Sequence, residues 1–246
     1  VHHHEAHLYS PWIAGNPPRA AFDELEPNVS LIVSGGHTLL VHVQALLKHH
    51  VLGSTVDDAA GECFDKVAKL IGLPYPGGPE VDRLAAEGDP SQFDFPRPLL
   101  REENDRFSFS GLKTSVRYHL RDHPELLENG QAVRDLCASV QAAIVEVLIT
   151  KTLRAARRLR VRCVTASGGV TCNRALRQAL TAACATDGLR LRIAEAPYCT
   201  DNAAMVAVLA EARLNRNPVA ASAIDGDPLP GWSLGAVAED GATVGR

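Results

Sequence analysis

Strand-like and helix-like hydrophobic periods follow one another in this chain in an order that few folds accept. Val29 to Val33 is a short apolar run, Ser34-Gly35-Gly36-His37 reads as a tight turn, and Thr38 to Val43 is a second run. A third apolar segment around Val51 to Val56 completes a β-meander with a glycine turn at its first corner. The period then switches. Ala60, Cys63, Phe64, Val67, Ala68 and Ile71 recur at helical spacing, which gives one apolar helix face. Asp57 or Asp58 is expected to cap this helix and Gly72 to end it. A stiff loop from Pro74 to Pro79 leads to a short helix near Val81 to Ala86. Residues 88–110 read as loop, and helices are predicted near Leu112 to Leu120 and Ala132 to Leu159. Then come strand (Arg162 to Ala166), Gly-Gly turn, helix (Asn173 to Ala185), strand (Leu189 to Ala194) and helix (Asn202 to Leu214). A meander followed by alternating strand and helix predicts an α/β fold, a mixed sheet with helices packed on it. Residues 1–14 read as a helix start broken by Pro17 and Pro18. The Gly-, Pro- and Ala-rich tail from about Asn215 receives no assignment.

The 246 residues suffice for one large domain or two small ones. A net charge of -4 argues against wholesale coating of nucleic acid and leaves room for local basic patches. Lys151, Arg154, Arg157, Arg158, Arg160 and Arg162 form one such patch at a predicted helix end, where a solvated end is the plainer reading. No stretch approaches the apolar length of a membrane span, and the N-terminus shows no basic-then-apolar signal, so a cytoplasmic location is expected. A start at Val1 rather than Met reads as a trimmed chain or a fragment. None of the six cysteines forms a CxxC pair, so reduced, mostly buried thiols are expected.

His3 and His7 are four apart, so on a helix their rings share a face and suit one metal ion. Glu5 falls two residues before His7, which misplaces the glutamate of a zinc-protease motif. A tag remnant or idle surface histidines are the alternatives. Ser34-Gly35-Gly36-His37 and Ser167-Gly168-Gly169-Val170 could each turn backbone N–H groups toward an anion, the second just ahead of a helix. A plain turn is the alternative for either. Asp65 faces a ribose contact or an ion pair with Lys69. Gly78 could admit a ligand to the backbone, and Asp201 could be a helix cap instead of a ligand.

Seven segments occur together and in order. They are residues 1–7 (Val-His-His-His-Glu-Ala-His), 33–38 (Val-Ser-Gly-Gly-His-Thr), 57–66 through Phe64-Asp65-Lys66, and Tyr75-Pro76-Gly77-Gly78-Pro79. The others are Phe107-Ser108-Phe109-Ser110-Gly111-Leu112-Lys113-Thr114, Ser167-Gly168-Gly169-Val170 with Asn173-Arg174, and Thr200-Asp201-Asn202-Ala203-Ala204-Met205. In these the chain resembles the TsaD family of tRNA N6-adenosine threonylcarbamoyltransferases, formerly called O-sialoglycoprotein endopeptidases. The resemblance implies an actin-like, sugar-kinase-like ATPase architecture of two ribonuclease-H-like lobes. Residues 1–246 would be the second lobe with its C-terminal helix and tail, and most of the first lobe would be missing.

It further implies metal ligands at His3, His7 and Asp201, holding Fe(2+) or, as a substitute, Zn(2+). Ligand contacts would fall at Val33, Ser34, Gly35, Gly36, His37, Asp65, Gly78, Asp82 and Asn173. The implied reaction moves a threonylcarbamoyl group from threonylcarbamoyl-adenylate to the exocyclic amine of the tRNA adenosine 3′ of the anticodon, releasing AMP. Implied partners are a TsaB-like paralogue and a TsaE-like ATPase, with no membrane. Three other readings stay open at this point: an actin-fold ATPase or kinase, a non-catalytic module of the tRNA-modifying assembly, and a peptidase.

Overall fold

The computed structural model describes residues 1–217 and 233–236. The unassigned tail therefore lies mostly outside the described residues. The chain begins with α1 (His3–Tyr9), a 3-10 turn and a two-stranded hairpin, β1 (Ile13–Ala14) and β2 (Arg19–Ala20). The single helix start expected over residues 1–14 is thus shorter, and the hairpin was not foreseen. Strands of two residues are too short to show a period.

The meander follows as β3 (Asn28–Val33), β4 (Thr38–Ala45) and β5 (Lys48–Ser54). The last strand starts three residues before the expected apolar run. The parallel strands β6 (Cys163–Ser167) and β7 (Arg190–Ile193) complete a sheet of order β5-β4-β3-β6-β7. The β3–β4 and β4–β5 pairs are antiparallel, and the β3–β6 and β6–β7 pairs are parallel.

β3 is buried along its whole length, and its alternation assigns the two faces of the sheet. Val29, Leu31 and Val33 join one apolar cluster, with α2 (Ala60–Ile71), α3 (Gly77–Ala85), α4 (Ser110–Asp122), α5 (Gly130–Leu159) and α6 (Arg174–Thr186). Ile32 faces the other way, toward Ala6, Leu8 and Tyr9 of α1 and Met205 and Leu209 of α8 (Ala203–Arg216). A four-residue helix, α7 (Ala196–Cys199), links β7 to the segment before α8. Truncating a side chain as enclosed as Leu31 would cost about 2–5 kcal/mol.

α5 corrects one expectation. It has 30 residues, and by length and composition it could cross a membrane. Its most apolar window is 78% buried inside the protein, so it is apolar all round because it is the core helix. The predicted basic patch at its end is also largely absorbed by the protein. Lys151 is buried and donates to the Asn104 carbonyl, while Arg154 donates to the Glu102 and Leu100 carbonyls. Arg157 pairs with Asp187 and Arg158 with Asp105. These cations tie the 99–105 loop and the end of α6 to α5. All six cysteines are free, and only Cys172 is exposed.

The helix start at residue 60 is satisfied differently from the sequence reading. The Ala60 N–H donates to Thr38 Oγ1 at 2.9 Å, and the Ala59 N–H reaches Glu62 Oε2. Asp58 instead pairs with Lys66 and Lys113. Asp57 serves the next long helix: it accepts from the Phe109 and Ser110 N–H groups and from both Ser108 and Ser110 hydroxyls. Burial raises its pKa, but these four donors outweigh that and hold the carboxyl below its usual value. A depressed carboxyl stabilises the fold above its unfolded pKa and loses that contribution as acid protonates it. Asp57→Ala should therefore cost about 1–2 kcal/mol in urea unfolding at neutral pH. The gap from wild type should shrink as pH falls below about 4; an equal gap at both pH values would refute the capping role.

Candidate metal and anion site

α1 and the segment before α8 meet at the edge of the sheet. His7 is buried, and its Nε2 lies 2.9 Å from Asp201 Oδ1. His3 Nε2 lies 3.7 Å from the same oxygen, and the three donor atoms all fall within 4.8 Å of one another. Donors bound at about 2.1 Å to one ion sit about 3 Å apart at right angles and somewhat farther at tetrahedral angles. The two separations from Asp201 lie near that spacing. Asp201 is free to serve because Asn202, not Asp201, caps α8 by accepting from the Met205 N–H.

The protonation states agree. Burial foremost lowers the His7 pKa, against the opposing pull of Asp201, which favours the neutral ring that binds metals. His7 Nδ1 is buried and has no hydrogen-bond partner among the described residues. His4, on the same helix, packs its ring 3.9 Å centroid to centroid from His37. Burial first, and His37 next, push the His4 pKa down to about 3. His37 is lowered too, chiefly by burial. Spacing assigns His4 no role of its own; only the approach of the glycine turn makes it a platform for His37.

That turn is held by two bonds, from the Ser34 N–H to the His37 carbonyl and from the His37 N–H to Ser34 Oγ. Gly35 and Gly36 are exposed at its tip, and a Cβ on either would meet nothing within 4 Å. Packing does not demand glycine there, but the close approach of a ligand to the backbone would. The supports behind the turn are the opposite case. A Cβ at Gly61 would lie 2.4 Å from the Ser34 carbonyl oxygen. One at Gly168, where φ is +92°, would lie 2.3 Å from the Val33 oxygen. Ser167 Oγ, next to Gly168, donates to the His7 carbonyl at 2.7 Å and so ties the second glycine turn to α1.

The remaining predicted contacts do structural duty. Asp65 accepts from the Gly77 and Gly78 N–H groups, capping α3, in place of the Lys69 pair that its spacing allowed. It shares a groove of about 390 Å³ with Gly35, Lys69, Tyr75 and Gly77. Asp82 pairs with Arg174 at 2.9 Å. Asn173 caps α6 by accepting from the Leu176 N–H and donates to Gln141 Oε1. Val33 is the buried last residue of β3. The second glycine turn does not open directly into α6: a 3-10 segment, Gly169–Cys172, intervenes. His3, His7, His37 and Asp201 thus form one cluster, Asp65 is bonded to Gly78, and Asp82 is bonded to Arg174, the residue after Asn173.

The TsaD family model, described as tRNA N6-adenosine threonylcarbamoyltransferase, matches residues 1–208. The chain belongs to the TsaD family. TsaD relatives bearing that description include one from Geotalea uraniireducens, 50% identical over 86% of this chain and 61% of its own length. Another, from Geobacter metallireducens, is 49% identical over 95% of this chain and 66% of its own. Across the relatives that it matches, the chain spans about two thirds of their length. Among solved structures, full-length HypF in a phosphate- and nucleotide-bound form superimposes with a TM-score of 0.56 at 15% identity. The match covers 78% of this chain and 39% of HypF. At that identity the likeness is one of fold, a mixed α/β sheet with helices packed on it.

The two kinds of glycine separate in a stability measurement. Gly168→Ala should lose about 1–3 kcal/mol, from strained φ and from contact with Val33. Gly35→Ala should stay within about 0.5 kcal/mol of wild type. Equal losses in urea titrations of the two variants would contradict this assignment.

Proposed function

We propose that the protein carrying this chain transfers a threonylcarbamoyl group from threonylcarbamoyl-adenylate to the N6 amine of the adenosine 3′ of the anticodon in tRNAs reading codons that start with A. The convergence of His3, His7 and Asp201 beside an exposed glycine turn, in a chain of the TsaD family, carries this reading. Two imidazoles and one carboxylate suit a transition metal, Fe(2+) or Zn(2+), better than magnesium. That donor set disfavours the actin-fold kinase reading. When bound, such an ion supplies Lewis-acid polarisation and a template for the substrate's oxygens.

The rest of the reaction falls to the chain. The Gly35 and Gly36 amides face the phosphate and stabilise charge as AMP departs. His37, braced on His4, borders the same anion. Asp65 and Gly78 lie where the ribose would rest, and Asp82 and Asn173 flank it on α3 and α6. The adenine amine attacks the carbamoyl carbon, the bond from that carbon to the phosphate oxygen breaks, and the amine proton leaves to solvent. Because this amine is a weak nucleophile, orientation of the two substrates supplies much of the rate. A TsaB-like paralogue, a TsaE-like ATPase and a cytoplasmic setting accompany this reading.

Purified protein incubated with tRNA and threonylcarbamoyl-adenylate should yield N6-threonylcarbamoyladenosine on nucleoside mass spectrometry. His3→Ala or Asp201→Ala should lower the yield by roughly 100-fold or more, and a chelator should abolish it until Fe(2+) or Zn(2+) is restored. Metal-loaded protein that cleaves a glycoprotein and leaves tRNA unmodified would overturn the assignment.

A further inference from the structure

Glu5 lies between the two metal-facing histidines and points the other way. It has no solvent exposure, and its only charged partner among the described residues is Arg213 near the end of α8. Arg213 Nη2 sits between both carboxylate oxygens, 2.8 Å from one and 2.6 Å from the other, and Arg213 is itself 13% exposed. We propose that this buried pair is a positioning device for the metal site, setting the register of the ligand-bearing helix α1 against the element that presents Asp201.

The geometry carries the argument. α1 supplies His3 and His7, and Asp201 lies two residues before α8. The two helices also touch through Ser10 Oγ, which reaches the Met205 sulfur at 3.5 Å. Around this contact the seam is mostly apolar, with Ala6, Tyr9, Met205 and Leu209 in one cluster. An apolar seam tolerates sliding, because its energy changes little over a fraction of a residue step. A charged pair with one partner wholly buried does not, because an unpaired buried charge is heavily penalised. Glu5 and Arg213 therefore fix the one degree of freedom on which the His7–Asp201 separation depends. A buried ion pair adds little net stability over well-packed apolar groups of similar volume, so its value here lies in register.

This inference rests on the metal-site reading, and the test separates the two. Cobalt(II) is titrated into metal-free protein, followed by its d–d absorption, and the melting temperature of each metal-free variant is recorded. The single substitutions Glu5→Gln and Arg213→Met leave a buried polar group or charge unpaired and should lower the melting temperature. The double variant Glu5→Met/Arg213→Met, which replaces the pair with apolar side chains of similar volume, should melt within a few degrees of wild type. Its cobalt dissociation constant should nevertheless rise about 10- to 100-fold, with an altered d–d spectrum. A double variant that folds and binds cobalt with wild-type affinity and spectrum would overturn the proposal. So would a double variant as unstable as the singles, since the pair would then be holding the fold itself. Wild-type protein that binds no cobalt would remove the metal site, and this inference with it.

Discussion

The arrangement depends on a contact with no side chain in it. The turn at Ser34–His37 is backed on one side by the backbone at Gly61 and followed, at the neighbouring strand end, by Gly168 against Val33. At both places a single methyl group would overlap a carbonyl oxygen. Because β3 and β6 are parallel neighbours, their two Ser-Gly-Gly ends emerge at the same edge of the sheet. The crossing of α1 over that edge brings His3, His7 and His37 to one place. Spacing the strand ends farther apart would dissolve the cluster even if every ligand were retained. The chemistry thus rides on backbone packing, and packing this close is intolerant of added volume.

The order of elements was legible because each long element states its period. α2 shows five apolar side chains at helical spacing that end up in the core, and β3 alternates between two apolar faces. What escaped was what two distant segments do to each other. Asp57 and Asp58 sit where a helix cap belongs, yet Thr38 and Glu62 took that place and freed Asp57 for the helix at Ser110. Local sequence offers several acceptors for one set of N–H groups, and tertiary contact selects among them. The basic run at the end of α5 misled for the same reason: its partners, the Leu100, Glu102 and Asn104 carbonyls, lie on a loop whose path no periodicity foretells. The metal triad was read from resemblance, and spacing alone supports only His3 and His7.

Electrostatics at the cluster follow from crowding cations that cannot all exist. Five histidines, His2, His3, His4, His7 and His37, lie in mutual ring contact or influence. Each proton added raises the cost of the next, and burial adds to that cost. His4, His7 and His37 are thereby pushed toward the neutral form, in which nitrogen lone pairs are available. Asp201 is the carboxylate that meets His3 and His7. Its side chain is 76% exposed, and its Oδ1 lies 2.9 Å from His7 Nε2.

The flanking groups point to a division of labour between holding the protein and holding a ligand. Asp65 spends its Oδ1 on the N-terminus of α3, Asn173 spends both ends of its amide on α6 and α5, and Asp82 holds Arg174. A residue tied in this way is costly to reorient but already aimed. Asp65 keeps a second oxygen, and a carboxylate can accept from several donors at once. A hydroxyl arriving there would find a fixed acceptor whose ordering cost was met when the chain folded. Asn173 has less to spare, since its donor and its acceptor are both engaged. On this geometry Asp65 is the better placed of the two for a direct ligand bond. Asn173 fixes the start of α6, the end of the segment that runs from the second glycine turn.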